Sequence, residues 1–146
     1  MSLIHGTCIL VAGAGVLLRG PSGSGKSDLA FRLIETGDAV LVADDQTSVT
    51  INRGGLKASP PTNLAGLIEV RGVGIVARHH RESCSIDLVI DMVGRDDVPR
   101  LPGPQTVEIM DVTVPLYRLC AFEASAPAKV KALALRHAQR GGADHA

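Results

Sequence analysis

At 146 residues, the chain has the length of one compact domain and can bury roughly 68–70% of its unfolded surface without a disulfide or metal staple. Its 15 basic and 15 acidic side chains cancel and aromatics make up only 2%, so the charge footprint and the stacking platforms of a nucleic-acid binder are both missing. No apolar run approaches the ~20 residues that cross a bilayer, no secretory leader is visible, and Cys8, Cys84 and Cys120 lack metal-pair spacing, which fits core thiols in a reducing, cytoplasmic setting without a membrane anchor.

Thr7–Val11 and Gly15–Leu18 are short apolar runs separated by Ala12-Gly13-Ala14 and read as a hairpin. Met1-Ser2-Leu3 ahead of them carries no assignment. Gly20–Gly25 is a glycine-rich turn, and Ser27–Thr36 places Leu29, Ala30, Leu33 and Ile34 at helical spacing before the stop at Gly37. Ala39–Ala43 and Thr47–Ile51 are expected strands, the second closed by the turn Asn52-Arg53-Gly54-Gly55. Ser59-Pro60-Pro61 breaks regular structure. Leu67–Ile75 then reads as one strand interrupted by Gly72 and Gly74, and Ile86–Val93 as another.

Gly94–Pro104 is a long Pro/Gly-rich loop of the sort that carries function. Val107–Leu116 reads as a strand or two, and Ala126–Arg140 as an amphipathic helix with Val130, Leu133, Ala134 and His137 on one face. The expectation is a single domain over residues 1–140, with 141–146 as a disordered tail, in the α/β class with a mixed sheet and flanking helices.

Gly20-Pro21-Ser22-Gly23-Ser24-Gly25-Lys26-Ser27 fits the phosphate-loop pattern G-x-x-x-x-G-K-[ST] at every fixed position. Glycines let successive N–H groups converge on an anion, and the helix that follows adds unpaired donors and the positive end of its dipole. Lys26 supplies a point charge to the β- and γ-phosphates of ATP, and the Ser27 hydroxyl is a hard ligand for Mg²⁺. Chance produces this pattern in well under ~1% of chains this short.

Asp44-Asp45 closes the apolar run Val40–Ala43. Adjacent carboxylates repel, and in α/β sheets ligands sit beyond the carboxyl ends of strands, so the pair suits a magnesium site or a catalytic base. Glu69 and Arg71, two apart on an expected strand, share a face; one suits a metal and the other a phosphate.

His5-Gly6, the Gly20–Ser27 loop, Val42-Ala43-Asp44-Asp45 and Glu69-Val70-Arg71-Gly72-Val73-Gly74 together resemble the HPr kinase/phosphorylase family over about residues 4–120. That resemblance implies a catalytic core like that of phosphoenolpyruvate carboxykinase, a hexameric assembly, and phosphorylation by ATP of a serine on HPr, a phosphocarrier of the phosphotransferase system. Carried over by motif, Lys26 binds phosphate, Ser27 and Glu69 approach Mg²⁺ with Asp45 beside them, and Asp44 is the base. His5 matches an active-site histidine, and Arg100 in Pro99-Arg100-Leu101 a later catalytic arginine. A two-component sensor is a conceivable further partner.

Two departures stand out. The separate domain that precedes the histidine in better-known members does not appear here. The segment needed for phosphorolysis, arginine-rich in the family, reads Pro115-Leu116-Tyr117-Arg118-Leu119-Cys120, so the reverse reaction is expected to be weak. The rival expectations are a small-molecule kinase and a nucleotide sensor that transfers no phosphate.

Overall fold

The computed structural model describes residues 1–141. Twelve strands and two helices run in chain order: β1 (Ser2–His5), β2 (Thr7–Val11), β3 (Ala14–Arg19), α1 (Lys26–Glu35), β4 (Ala39–Ala43), β5 (Gln46–Asn52), β6 (Gly55–Ser59), β7 (Leu67–Val70), β8 (Gly74–Ala77), β9 (Cys84–Ser85), β10 (Leu88–Met92), β11 (Thr106–Ile109), β12 (Val112–Leu119) and α2 (Ala126–Gly141). Gly141 closes α2, and the remainder of the expected tail, 142–146, lies outside the described residues.

A six-stranded mixed sheet in the order β11-β12-β10-β3-β2-β4 forms the middle of the molecule. β12, β10 and β3 are parallel, while β2 runs antiparallel to both β3 and β4. β3, β4, β10 and β12 therefore end at the same edge. The central strands are buried on both faces, which explains their continuous apolar runs. Alternate residues serve different cores. Ile9, Val16, Leu18, Leu41 and Ile90 face α1 and α2 and pack with Leu29, Leu33 and Val130. Cys8, Leu17, Val42 and Val89 face a second, four-stranded sheet, β1-β5-β6-β9, and pack with Val49, Leu56 and Ala58. The result is three layers: helices, mixed sheet, antiparallel sheet.

The β2–β3 hairpin has the expected place, with Ala12 (φ 50°) and Gly13 (φ 82°) as a tight two-residue turn. Four expectations need correction. Ser2–His5, left unassigned, is a strand paired with β5 from Ser2↔Val49 to His5↔Gln46. Gly55, read as the end of a turn, begins β6, because Arg53 (φ 54°) and Gly54 (φ 80°) make the turn alone and Leu56 and Ala58 then point into the second core.

The run Leu67–Ile75 is a hairpin, β7–β8, rather than one strand; Val73 N–H bonds the Val70 carbonyl, and Gly72 (φ 88°) reverses the chain. Finally, Cys84–Ser85, outside every expected strand, pairs with β6.

Candidate functional site

β3 delivers the chain to the phosphate loop at the carboxyl edge of the mixed sheet, and α1 leaves it. Gly20 (φ 156°), Gly23 (φ 83°) and Gly25 (φ 94°) all hold backbone conformations that side chains rarely adopt. The loop is tight: a Cβ on Gly20 would lie 2.6 Å from Ser24 Oγ, and one on Gly25 2.7 Å from Ala121 Cβ. Ser24 N–H closes the turn onto the Pro21 carbonyl at 3.1 Å, while Ser22 and Gly23 stand at its open side.

Lys26 is buried and its Nζ donates to the carbonyls of Gly20 (2.7 Å) and Pro21 (3.1 Å), so the ammonium spans the loop. An anion bound there exchanges neutral acceptors for charged ones, which are the stronger kind. The first N–H groups of α1 have no acceptor within the helix. Ser24 Oγ is buried with no hydrogen-bond partner among the described residues, an orphan that a phosphate oxygen fits.

The two aspartates point in different directions. Asp44 is buried, and its Oδ1 accepts from Ser27 Oγ (2.6 Å) and Thr7 Oγ1 (3.0 Å) while Oδ2 accepts from the Glu69 N–H (3.0 Å). Asp45 is turned out toward solvent, its backbone in the left-handed region at φ 66°. Its Oδ1 meets His5 Nε2 at 2.9 Å. Thr7 links the pair by accepting the Asp45 N–H at 3.2 Å and donating to Asp44, and the Gly6 N–H bonds the Asp45 carbonyl at 2.8 Å. The hydroxyl meant for a metal therefore sits on Asp44, where sequence reasoning had placed the base, and not on Asp45.

Glu69 reaches the site through its backbone. Arg71 does not share a strand with it: it lies in the β7–β8 turn, exposed, with no hydrogen bond or ion pair among the described residues. Arg100 is exposed in the long loop, equally without such a partner, and lines a cleft of about 230 Å³ together with Tyr117, Arg118 and Lys129.

Sequence reasoning missed Thr7, whose hydroxyl is silent in any motif, and Arg19. The Arg19 side chain, just before Gly20, makes a two-pronged pair with Asp91 on the neighbouring β10 at 2.8 and 3.1 Å, bracing the strand end that carries the loop.

Ser27 and Asp44 fit Mg²⁺ as a hard hydroxyl–carboxylate pair. Among the described residues no three His, Cys, Asp or Glu side chains form a closed metal cage. No helix of the described residues is long and apolar enough to cross a membrane.

A family model described as the HPr Serine kinase C-terminal domain matches residues 1–141. The chain is 39% identical over 124 residues to the HPr kinase/phosphorylase of Caldanaerobacter subterraneus subsp. tengcongensis, covering 77% of this chain and 40% of that protein. It is 33% identical over 132 residues to the HPr kinase/phosphorylase of Brevibacillus brevis, with the same coverages of 77% and 40%. The chain thus spans about two fifths of the length of these curated relatives. Among solved structures it is similar to the Hpr(Ser) kinase/phosphatase from Coxiella burnetii, with a TM-score of 0.82 and 25% identity, over 96% of this chain and 98% of that one.

Proposed function

Since the chain belongs to the family of the HPr serine kinase C-terminal domain, we propose that it is an ATP-dependent protein kinase of the cytoplasm that phosphorylates a serine of HPr. The observation that carries this reading is the division of labour between the two carboxylates: Asp44 turned inward onto Ser27 at 2.6 Å, Asp45 turned outward onto His5 at 2.9 Å. A site that only bound nucleotide would have no use for a second carboxylate with its own histidine.

In this mechanism the N–H groups of the Gly20–Ser27 loop and Lys26 bind the phosphates and stabilise charge on the transferred group. Ser27 and Asp44 would hold Mg²⁺, which would supply positive charge against the phosphates. Asp45 accepts the proton of the incoming serine hydroxyl, and His5 orients it. This exchanges the roles that motif matching gave to Asp44 and Asp45, because a carboxylate committed to three donors and shielded from solvent is a poorer base for an external hydroxyl than an accessible one. Glu69 and Arg71, on the hairpin beside Asp44, and Arg100 from the long loop are assigned to the approaching substrate and its phosphate. A homo-oligomer, a hexamer by family likeness, completes the proposal; sedimentation of the purified protein tests that part.

The test of function is mass spectrometry of HPr after incubation with the protein, ATP and Mg²⁺, beside a panel of small hydroxyl metabolites. Phosphoserine on HPr, absent with the Asp45→Asn variant, is the expected result. Phosphorylated metabolites without phospho-HPr would replace the reading with a small-molecule kinase. Nucleotide binding with no transfer to either would leave a sensor.

A further inference from the structure

We propose that Phe122 is the stacking platform for the nucleobase of the bound nucleoside triphosphate, an inference that rests on the nucleotide reading of the phosphate loop. The chain has two Phe, one Tyr and no Trp. Phe31 packs against the helix-side core with Arg78 over its ring at 5.6 Å, and Tyr117 Oη bonds His137 Nε2 at 2.7 Å. Phe122 alone among them is left 69% exposed, and it lies directly on the phosphate loop. A Cβ built on Gly25 would sit 3.2 and 3.3 Å from Phe122 Cε1 and Cζ. The edge of the ring is thus seated on the last glycine of the loop while the rest of it faces solvent.

The backbone under this ring is fixed. The Arg32 guanidinium, paired with Asp28 at 3.1 Å, donates to the carbonyl of Ala121 and, at 3.5 Å, to that of Glu123, one on each side of Phe122. The Glu123 N–H returns to the Cys120 carbonyl at 3.3 Å. A large apolar side chain held rigidly in water beside a ligand loop is a preformed contact surface.

Topology supplies the direction. Asp44 follows β4 and Phe122 follows β12, and in the sheet order β12-β10-β3-β2-β4 these strands lie on opposite sides of β3, whose end is the phosphate loop. The Ser27–Asp44 pair marks the transfer end of the polyphosphate. A nucleotide laid along the loop from that end brings its other end, ribose and base, out on the β12 side, over Phe122. Aromatic stacking reads the flat face of a base and not its edge, so purine triphosphates of either kind should use the platform alike.

The experiment compares Mg–ATP with Mg–tripolyphosphate, which has the phosphates and lacks the base, by calorimetry on wild type, Phe122→Ala and Phe122→Trp. The expected result is that Phe122→Ala binds ATP about tenfold more weakly, a typical loss for one stacked base, and binds tripolyphosphate as wild type does. Phe122→Trp should keep ATP affinity and, as the sole Trp of the chain, should have its fluorescence changed by ATP and not by tripolyphosphate.

Unchanged ATP affinity in Phe122→Ala overturns the proposal. So does an equal loss for both ligands, which would make the ring a prop for the loop. A wild-type protein that binds neither ligand removes the nucleotide reading and the platform with it, whereas tripolyphosphate binding together with an indifferent Phe122 removes the platform alone.

Discussion

Asp45 holds a left-handed backbone, φ 66°, that costs a non-glycine residue about 1 kcal/mol or more and persists only where neighbours enforce it. The enforcement is visible: Thr7 Oγ1 takes its N–H and the Gly6 N–H takes its carbonyl. Under the proposed roles, Asp45→Asn should lose about 10²–10⁴-fold in phosphotransfer with nucleotide affinity kept, and Asp44→Asn should instead raise the Mg²⁺ needed for half-maximal rate. The opposite pattern, read from steady-state kinetics, would return the base to Asp44. Lys26→Ala should weaken Mg–ATP binding at least tenfold by calorimetry, since it removes a charge-assisted contact worth about 1.5–3 kcal/mol.

The reverse reaction belongs to this scale as well. Arg118 is tied to Gln105 at 2.8 Å, and Leu119 and Cys120 are buried, so no second guanidinium stands in that stretch. Phosphorolysis of phospho-HPr by millimolar phosphate should run on the order of 10²-fold slower than the forward step; comparable rates would mean that Arg100 or another arginine replaces the missing one. The loop residues were legible because their spacing is a motif. The partition between Asp44 and Asp45 was not, because a hydroxyl at Thr7, distant in sequence, decides which carboxylate turns inward.

The β7–β8 hairpin shows what composition alone conceals. Leu67 to Ile75 reads as one strand because β-forming residues recur along it, yet Gly72 reverses the chain, and the register then pairs Glu69 with Ile75. The hairpin stays beside the site through Glu69 N–H on Asp44 and through Arg78, just past β8, whose Nε donates to Glu35 at the end of α1 at 2.6 Å. The Arg78 guanidinium holds the Glu35 carboxyl below its usual range. A carboxyl lowered in the folded state supports the fold above its unfolded value and ceases to do so as the pH falls through the folded one. Glu35→Gln should therefore quicken amide exchange or proteolysis of residues 67–78 at neutral pH, and the gap from wild type should close as the pH drops below about 4.5. A gap that persisted in acid would mean that the ion pair is not what docks the hairpin.

At the scale of the molecule, the mixed sheet and its two helices were legible from apolar runs, while most of the second sheet was not. β1, β6 and β9 are four, five and two residues long, too short to show a period, and only pairing with β5 and with each other makes them strands. The two sheets are in tight backbone contact at Gly15. A Cβ there would fall 1.7 Å from the Ser85 carbonyl oxygen, and the backbone of Gly15 already exchanges two 2.8 Å hydrogen bonds with Asp87, through its carboxylate and its N–H. Gly15→Ala has nowhere to relax and should cost about 3 kcal/mol or more, read as a lowered urea midpoint or as insoluble protein.

β1 is the opposite case. It is held at the sheet margin by pairing with β5 alone, and none of its four residues is fully buried. Such a segment opens at a small fraction of the global unfolding free energy. Because it carries His5, each opening would take the histidine from Asp45 while the phosphate loop and the helix-side core stay intact and the second core loses only the partly buried Ile4. Heating should thus silence phosphotransfer several degrees before circular dichroism records any melting, with nucleotide still bound. The catalytic rate would be governed by the opening of one edge strand, and a crosslink pinning β1 to β5 should bring the two temperatures together.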